Sequence, residues 1–195
     1  MNTLDIINNW VKKDSKVLDL GCGGGEILVE LGSAKNIKAM GVEIDSEKIN
    51  ICIANGINVI EQNIDEGLHN FSDHSFDVVI MSQTIQVLKD PKKALEEITR
   101  IGSDCIVTIP NFGHWKTRLY LLLTGRMPVT SSLPDNWHDT PNIHLCTLKD
   151  FELLCLESTI SINGKIGFNS SGNSNIFTRI FPNLLCASAI YKISK

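Results

Sequence analysis

Short apolar runs alternate with amphipathic stretches over the first 110 residues of the chain. Helical spacing between the runs predicts helices that begin near residues 26, 46 and 91, with Ser46 as the cap of the second. Buried strands that alternate with helices are typical of a parallel sheet covered by helices, so the pattern predicts an α/β fold. The runs place the strands at residues 16–20, 38–42, 58–61, 76–81 and 105–109.

The pattern is less regular after residue 110. Helical spacing recurs at residues 115–123 and 148–156, and two apolar runs predict late strands at 159–162 and 184–193. A loop rich in Gly, Asn and Ser is expected between these strands, at residues 167–175. Residues 125–143 contain three prolines and are expected to form a long loop. Long loops without regular structure are usually functional or disordered, which makes this segment a functional candidate.

A glycine-rich turn follows the first predicted strand, in the sequence VLDLGCGGGE. A strand that runs into such a turn and then into a helix forms the nucleoside site of doubly wound sheets. The dinucleotide fingerprint would need glycine at position 26, where this chain has Glu26. A carboxylate at the helix N-terminus repels a diphosphate, which disfavours a nicotinamide-dependent oxidoreductase. Gly21, Gly23 and Gly25 instead suit a ligand without phosphates.

Two acidic residues accompany this turn. Asp19 precedes the glycines, where it can attract an ammonium group. Glu43 ends the second strand, where a carboxylate binds ribose hydroxyls in doubly wound folds. A nucleoside that carries an amino acid and a positive charge meets both demands, so S-adenosylmethionine or S-adenosylhomocysteine is the predicted ligand. The alternative is a tight turn without a ligand, with Glu43 as a solvated strand end.

The ends of the third and fourth strands should complete the pocket. Asn63 or Asp65 can hydrogen-bond the adenine amino group, while Ile64 packs against the ring. Ser82 and Gln83 should line the methionine side. For each polar residue, a local cap or turn role is the alternative.

No catalytic set stands out after the fifth strand. His114, His138 and His144 are weak catalytic candidates, and no nucleophile–base spacing joins them. The D/N-P-P-Y sequence of amino-directed nucleic-acid methylation and the Pro-Cys dipeptide of cytosine methylation do not occur. Methyl transfer relies largely on proximity and orientation, and it needs a base only when the acceptor must lose a proton.

Composition narrows the expected partners and location. The 195 residues carry a net charge of -4 without a basic stripe, so nucleic acid is not an expected partner. The six cysteines are scattered, so neither a disulfide framework nor a metal site is expected. The apolar runs are far shorter than the ~20 residues that cross a bilayer. Because the N-terminus also lacks a signal-peptide pattern, we expect a cytoplasmic protein without a membrane partner.

Several longer stretches resemble a known family. The chain is similar to the MetW family of bacterial methionine biosynthesis proteins, within the class I methyltransferase-like group. The first matching stretch is shared by many methyltransferases, whereas those from PNFGHW onward are specific to the family. The stretches are VLDLGCGGG (17–25), IDEGL (64–68), FDVVIMSQTIQ (76–86), IPNFGHWKTRL (109–119), TGRMPVT (124–130) and WHDTPNIHLCTLKDFELLC (137–155).

This resemblance implies a Rossmann-like class I methyltransferase fold, with a seven-stranded, mostly parallel sheet and a final antiparallel strand. It also implies a role beside homoserine O-acyltransferase (MetX), which activates homoserine early in methionine synthesis. The leading hypothesis is an S-adenosylmethionine-binding protein that supports or regulates that acyltransferase. The alternative is a methyltransferase with a small-molecule acceptor. Gln62-Asn63 stand where the family leads us to expect Gly-Asp, which removes a charge from the adenine side.

The resemblance also suggests how the chain is divided. We expect one methyltransferase-like domain over residues 1–195, with a nucleoside-binding half at 1–110 and terminal strands at 159–195. Residues 111–158 would form the acceptor or partner segment. Two of the three tryptophans, Trp115 and Trp137, fall in that segment, and tryptophan is enriched at protein interfaces.

Overall fold

The computed structural model describes residues 2–130 and 134–195, and over these residues seven strands form one sheet. The strands are β1 (Lys16–Leu20), β2 (Lys38–Glu43), β3 (Asn58–Glu61), β4 (Phe76–Ser82), β5 (Gly102–Pro110), β6 (Ser161–Phe168) and β7 (Ser188–Ser194). Their order in the sheet is β3-β2-β1-β4-β5-β7-β6. The pairs among β1 to β5 are parallel, and β7 is antiparallel to both of its neighbours. The predicted α/β sheet with a final antiparallel strand is confirmed.

Helices cover both faces of this sheet. They are α1 (Thr3–Trp10), α2 (Glu26–Lys35), α3 (Ser46–Ala54), α4 (Pro91–Ile101), α5 (Trp115–Thr124), α6 (Leu148–Glu157), α7 (Ile176–Ile180) and α8 (Pro182–Leu185). Short 3₁₀ turns follow β3 at Ile64–Glu66 and β4 at Ile85–Val87. Within the described ranges, no helix is long and apolar enough to cross a membrane.

Two apolar clusters, one for each face of the sheet, form the core. Successive strand residues point to opposite faces, so Leu18 belongs to one cluster and Val17 to the other. The first cluster includes residues of α4 and α6, and the second includes residues of α1, α2 and α3. The central strands are covered on both faces, which explains why they appear in the sequence as continuous apolar runs.

Two helix starts differ from the sequence predictions. The sequence pattern did not predict α1, which begins with a capping box between Asn2 and Asp5 and buries Ile6 and Ile7. Asp45 caps α3 instead of Ser46, because its carboxylate accepts hydrogen bonds from two N–H groups of the first helical turn. The prediction of Ser46 as the cap was wrong by one residue.

The last third of the chain departs most from the prediction. β6 begins and ends later than expected. Helix α7 lies after the expected loop, where no element was predicted, and α8 overlaps the start of the strand that was predicted at 184–193. Gly167 lies within β6, and its lack of a side chain weakens the apolar pattern of this strand. A Cβ at this position would collide with the sulfur of Cys186, so close packing requires glycine there. The described residues of 125–143 contain no helix and only an isolated bridge at Thr130, while residues 131–133 lie outside the described ranges.

Candidate nucleoside-binding site

The glycine-rich turn joins the end of β1 to the start of α2. The N–H groups of Gly21 and Cys22 donate to the carbonyl of Val42, at 2.8 and 3.1 Å, which ties the turn to the end of β2. Gly25 has a φ of +83°, and a Cβ there would lie 3.0 Å from the sulfur of Cys52. Positive φ and close packing therefore account for glycine at this position.

Gly21 and Gly23 differ in what surrounds them. A Cβ at Gly21 would lie 2.6 Å from the hydroxyl oxygen of Thr84, so close packing requires glycine there. At Gly23 the nearest atom is a carboxylate oxygen of Glu26, 3.8 Å away. The Cα of Gly23 therefore faces free space, as a turn that approaches a ligand requires.

Glu43 lies at the end of β2, and its buried carboxylate organises the turn. One oxygen, Oε2, accepts a hydrogen bond from the N–H of Gly23 at 2.8 Å. The other oxygen, Oε1, accepts from the N–H groups of Ile44 and Asp45 at 2.8 and 3.1 Å. An ionised carboxylate offers about four acceptor sites, so these three donors leave one of them on Oε2. Glu43 is therefore not the solvated strand end of the alternative interpretation.

Asp19 lies one residue before the end of β1 and is only 1% exposed. Its Oδ1 atom has no hydrogen-bond partner within the described structure. Burial, together with the nearby carboxylates of Glu26 and Glu43, raises the pKa of Asp19 to about 7. A buried carboxyl oxygen without a donor is costly, and a positively charged group would remove that cost.

The residues after β3 have local roles. The side-chain oxygen of Asn63 accepts from the N–H of Asp65 at 3.1 Å, which caps the 3₁₀ turn. Asp65 in turn accepts from the N–H of Lys89 at 2.8 Å. Ile64 is half-buried and packs against the first apolar cluster. The cap alternative therefore accounts for the hydrogen bonds of Asn63, and one acceptor site of its amide oxygen stays available.

Ser82 is the last residue of β4 and Gln83 follows it, and both line a cavity of about 310 Å³. The Ser82 hydroxyl lies 3.1 Å from that of Thr108, which also accepts from the N–H of Gln83 at 2.9 Å. Gln83 adopts a φ of +56°, a conformation that residues other than glycine rarely occupy. The cavity is lined by Thr3, Leu4, Ile7, Glu26, Ile27, Ser82, Gln83, Thr108, Phe168, Ser188 and Ala189.

Some of these lining residues were missed by the sequence predictions. Thr3, Leu4 and Ile7 belong to α1, and the Asn2–Asp5 capping box was the available signal for that helix. Glu26 entered the sequence argument only as a group that repels phosphate. In the structure it lines the cavity and lies close enough to Asp19 to affect its pKa. Phe168, Ser188 and Ala189 reach the cavity only through the antiparallel pairing of β6, β7 and β5.

The structure does not bring the three candidate histidines together into one hydrogen-bonded group among the described residues. His114 is buried at the start of α5, and burial lowers the pKa of its ring. His138 is exposed, with Nε2 3.2 Å from a carboxylate oxygen of Asp139, and the Nε2 of His144 lies 3.4 Å from the carbonyl of Lys89. None of the three lines the cavity, and within the described ranges no hydrogen bond joins any two of them.

The site thus combines a glycine turn, two buried acids and a neighbouring cavity at the carboxyl edge of the sheet. A family model described as "Methionine biosynthesis protein MetW" matches residues 2–193. The chain belongs to the MetW family. This match confirms the family resemblance of the sequence motifs. It also extends over the terminal strands, where none of the resembling stretches lies.

One relative of this MetW-family chain is the bifunctional methionine biosynthesis protein MetXA/MetW of Rhodopirellula baltica. The two are 30% identical over 185 residues, which cover 90% of this chain. The match covers 30% of the length of that relative. The name of the relative indicates that a MetW part and a MetXA part share one polypeptide.

Solved structures confirm the fold of this MetW-family chain. A SAM-dependent methyltransferase from Methanosarcina mazei has a TM-score of 0.70 at 21% identity, over 100% of this chain and 99% of that one. A SAM-dependent methyltransferase from Thermotoga maritima has a TM-score of 0.68 at 19% identity, over 98% and 86%. At these identities the likeness establishes the class I methyltransferase fold alone.

The cysteines of this MetW-family chain serve mainly as core residues. All six are free thiols, and all except the half-buried Cys146 are buried. Burial raises the pKa of Cys155 to about 12 and that of Cys186 to about 11, so both stay protonated near neutral pH. Within the described ranges, no group of three or more His, Cys, Asp or Glu side chains is placed to hold a metal ion.

Proposed function

We propose that this MetW-family chain binds S-adenosylmethionine or S-adenosylhomocysteine at the carboxyl edge of β1, β2 and β3. The unpartnered, buried Oδ1 of Asp19 beside the glycine turn carries this proposal. Both ligands have an amino-acid ammonium group, and S-adenosylmethionine has a sulfonium charge as well. An ammonium group would donate to the carboxylate and stabilise its ionised form.

The other predicted residues would surround this contact. The remaining acceptor site on Glu43 would bind a ribose hydroxyl, and the turn from Gly21 to Gly25 would pass beside the ligand. Asn63 and Ile64 would contact the adenine, and Ser82 would contact the methionine side. These roles agree with strand order, since β3 and β2 are neighbours and the N–H of Gln62 donates to the carbonyl of Glu43 at 3.0 Å.

The ligand site alone does not define a role in the cell, and we further propose that this chain supports or regulates homoserine O-acyltransferase. The relative named MetXA/MetW supports this proposal, because two functions joined in one polypeptide commonly work together. Ligand and partner would then influence each other through a coupling free energy, typically about 1–3 kcal/mol. A cytoplasmic location and the lack of nucleic-acid and membrane partners stay predictions of the sequence.

Calorimetric titration tests the ligand. S-adenosylmethionine and S-adenosylhomocysteine should each give saturable binding, whereas NADH should not bind because Glu26 lies at the start of α2. Asp19→Asn should weaken binding by about 10-fold or more, the loss expected for a charge-assisted hydrogen bond. Asp135→Asn, a substitution at an exposed site, serves as the matched control. Tight binding of NADH, or full affinity in Asp19→Asn, would contradict the proposed site.

Acyltransferase assays test the role. Homoserine O-acyltransferase from the same organism should be more active, or respond to S-adenosylmethionine, only when this chain is present. Bovine serum albumin at the same concentration controls for non-specific protection of the enzyme. Equal activity with and without this chain, at every ligand concentration, would overturn the role while leaving the ligand proposal intact.

The cavity favours a second candidate function, which is methyl transfer to a small-molecule acceptor. At about 310 Å³ it offers room for a small metabolite, and it adjoins the candidate site through Ser82 and Glu26. This function predicts slow formation of S-adenosylhomocysteine that a suitable metabolite accelerates. A broad metabolite panel that leaves the turnover unchanged would count against it.

A further inference from the structure

Helix α5 has an unusual distribution of apolar side chains. Its sequence, WKTRLYLLLT, contains five consecutive apolar or aromatic residues from position 119 to position 123. Successive helical residues are separated by about 100°, so five of them surround the helix, and one packing face cannot bury them all. Thr117 is the only buried residue of α5. We define the α5 surface as Trp115, Leu119, Tyr120, Leu121, Leu122 and Leu123, all of which are exposed.

Exposure of this kind is costly for an isolated chain. Leu122 is 81% exposed and Leu123 is 73% exposed, next to four more large apolar side chains. A contiguous apolar patch of this kind typically marks a protein–protein contact, and aromatic residues such as Trp115 and Tyr120 are enriched at the centre of such contacts. The charges of α5 are Lys116 and Arg118, with no acidic residue. A partner that fits would present an apolar patch edged by acidic groups.

The start of α5 is tied firmly to the edge of the sheet where the candidate site lies. Asn111, directly after β5, is completely buried, and its amide nitrogen donates to the carbonyls of Asn183 and Cys186 at 3.1 and 2.7 Å. The N–H of Phe112 donates to the carbonyl of Cys146 at 3.0 Å. These bonds fix the base of α5 between α8, with the residue that follows it, and the segment before α6. A partner on α5 would therefore contact an element that is rigidly connected to the site edge.

We propose that the α5 surface is the docking site for the homoserine O-acyltransferase subunit, an inference that rests on the proposed function. In the MetXA/MetW relative, one polypeptide holds both parts together, which gives each a high effective concentration near the other. A lasting contact between the two parts also needs apolar area that the contact can bury. The α5 surface supplies apolar area for that contact, and the neighbouring cations of the helix, Lys116 and Arg118, favour an acidic edge on the enzyme.

A matched pair of double variants tests this docking site. Leu122→Gln with Leu123→Gln makes the α5 surface polar and keeps good helix formers. Leu153→Gln with Leu156→Gln makes the same change on α6, where these leucines are 53% and 75% exposed. Binding of each purified chain to purified homoserine O-acyltransferase of the same organism is measured by biolayer interferometry. Thermal unfolding and S-adenosylmethionine titration establish that each variant is folded.

The α5 double variant should bind the enzyme at least 10-fold more weakly than the unsubstituted chain, and the α6 variant should bind as the unsubstituted chain does. Unchanged binding by the α5 variant, or equal losses in both variants, would overturn the docking site while the proposed function stands. If the unsubstituted chain does not bind the enzyme at all, both the docking site and the proposed acyltransferase role are overturned. Light scattering that shows a dimer of the unsubstituted chain and a monomer of the α5 variant would assign the surface to self-association instead.

Discussion

At the scale of single residues, the ionisation of Asp19 links stability to the candidate site. The folded-state pKa of about 7 lies above the ordinary value of 3.8, because burial disfavours the charged form. The folded chain thus holds a proton that the unfolded chain has released between these two pH values. Its stability should fall as the pH rises from about 4 to 7, and the full penalty should be present above pH 7.

Asp19→Asn should remove this pH dependence. Between pH 5 and pH 8, the free energy of unfolding of the unsubstituted chain should lose on the order of 3 kcal/mol through Asp19. The variant should lack that loss, because an amide does not ionise. Urea unfolding at one-unit pH intervals measures the difference, with Asp135→Asn as an exposed control that keeps the original profile. Identical profiles for the unsubstituted chain and Asp19→Asn would contradict a raised pKa.

Glu43 and Asn63 should differ in their importance for ligand binding. Glu43→Ala removes a charged acceptor and leaves the N–H groups of Gly23, Ile44 and Asp45 without their partner. Asn63→Ala removes a neutral amide whose oxygen already serves the 3₁₀ cap. Calorimetry should show affinity losses of roughly 10- to 100-fold for Glu43→Ala and of a few fold for Asn63→Ala. Equally small losses would remove Glu43 from the site.

At the scale of elements, sequence patterns succeeded where burial alone determines structure. The first five strands are found close to their predicted positions, because the central strands β1, β4 and β5 are largely buried and therefore contain runs of apolar residues. The predictions for the late elements were wrong because contacts with residues distant in sequence determine these elements. Gly167 in β6, for example, is small to accommodate Cys186 before β7.

The glycine turn provides a stability prediction at this scale. Gly25→Ala should destabilise the chain by about 2–3 kcal/mol, because a positive φ and close contact with the sulfur of Cys52 act together. Gly56→Ala is the matched control: Gly56 has a φ of +75° with nothing within 4 Å of the added carbon, so the strain alone should cost about 1 kcal/mol. Urea unfolding measures both, and equal losses would show that contact with Cys52 does not matter.

At the scale of the whole molecule, ligand and partner should be coupled reciprocally. If S-adenosylmethionine changes the affinity for homoserine O-acyltransferase, the enzyme must change the affinity for S-adenosylmethionine by the same factor, about 5- to 150-fold for typical couplings. Two titrations measure this: the ligand into this chain with and without the enzyme, and the enzyme with and without the ligand. Asp19→Asn should weaken the binding of S-adenosylmethionine and thereby reduce the effect of a given ligand concentration on the affinity for the enzyme. Unequal factors in the two titrations would contradict a simple coupled equilibrium.

The division into a nucleoside-binding half, an acceptor or partner segment and terminal strands stays a prediction at this scale. The α5 surface lies in the middle segment, and the proposed docking site would give that segment its role. The cavity, by contrast, draws its lining from the first and the third of these parts, because α1, the ends of β4 and β5, the end of β6 and the start of β7 meet at one edge of the sheet.

The sequence by itself determined the α/β fold, the glycine turn and the two acids, because periodic burial, positive φ and charge depend on the types and spacing of residues that are close in the chain. The tertiary structure decided which of these groups have partners. Three N–H groups donate hydrogen bonds to the carboxylate of Glu43, whereas Oδ1 of Asp19 has no hydrogen-bond partner within the described ranges. It also decided that the three histidines stand apart and that α5 is exposed. Such outcomes depend on contacts between residues far apart in the chain, which local patterns do not encode.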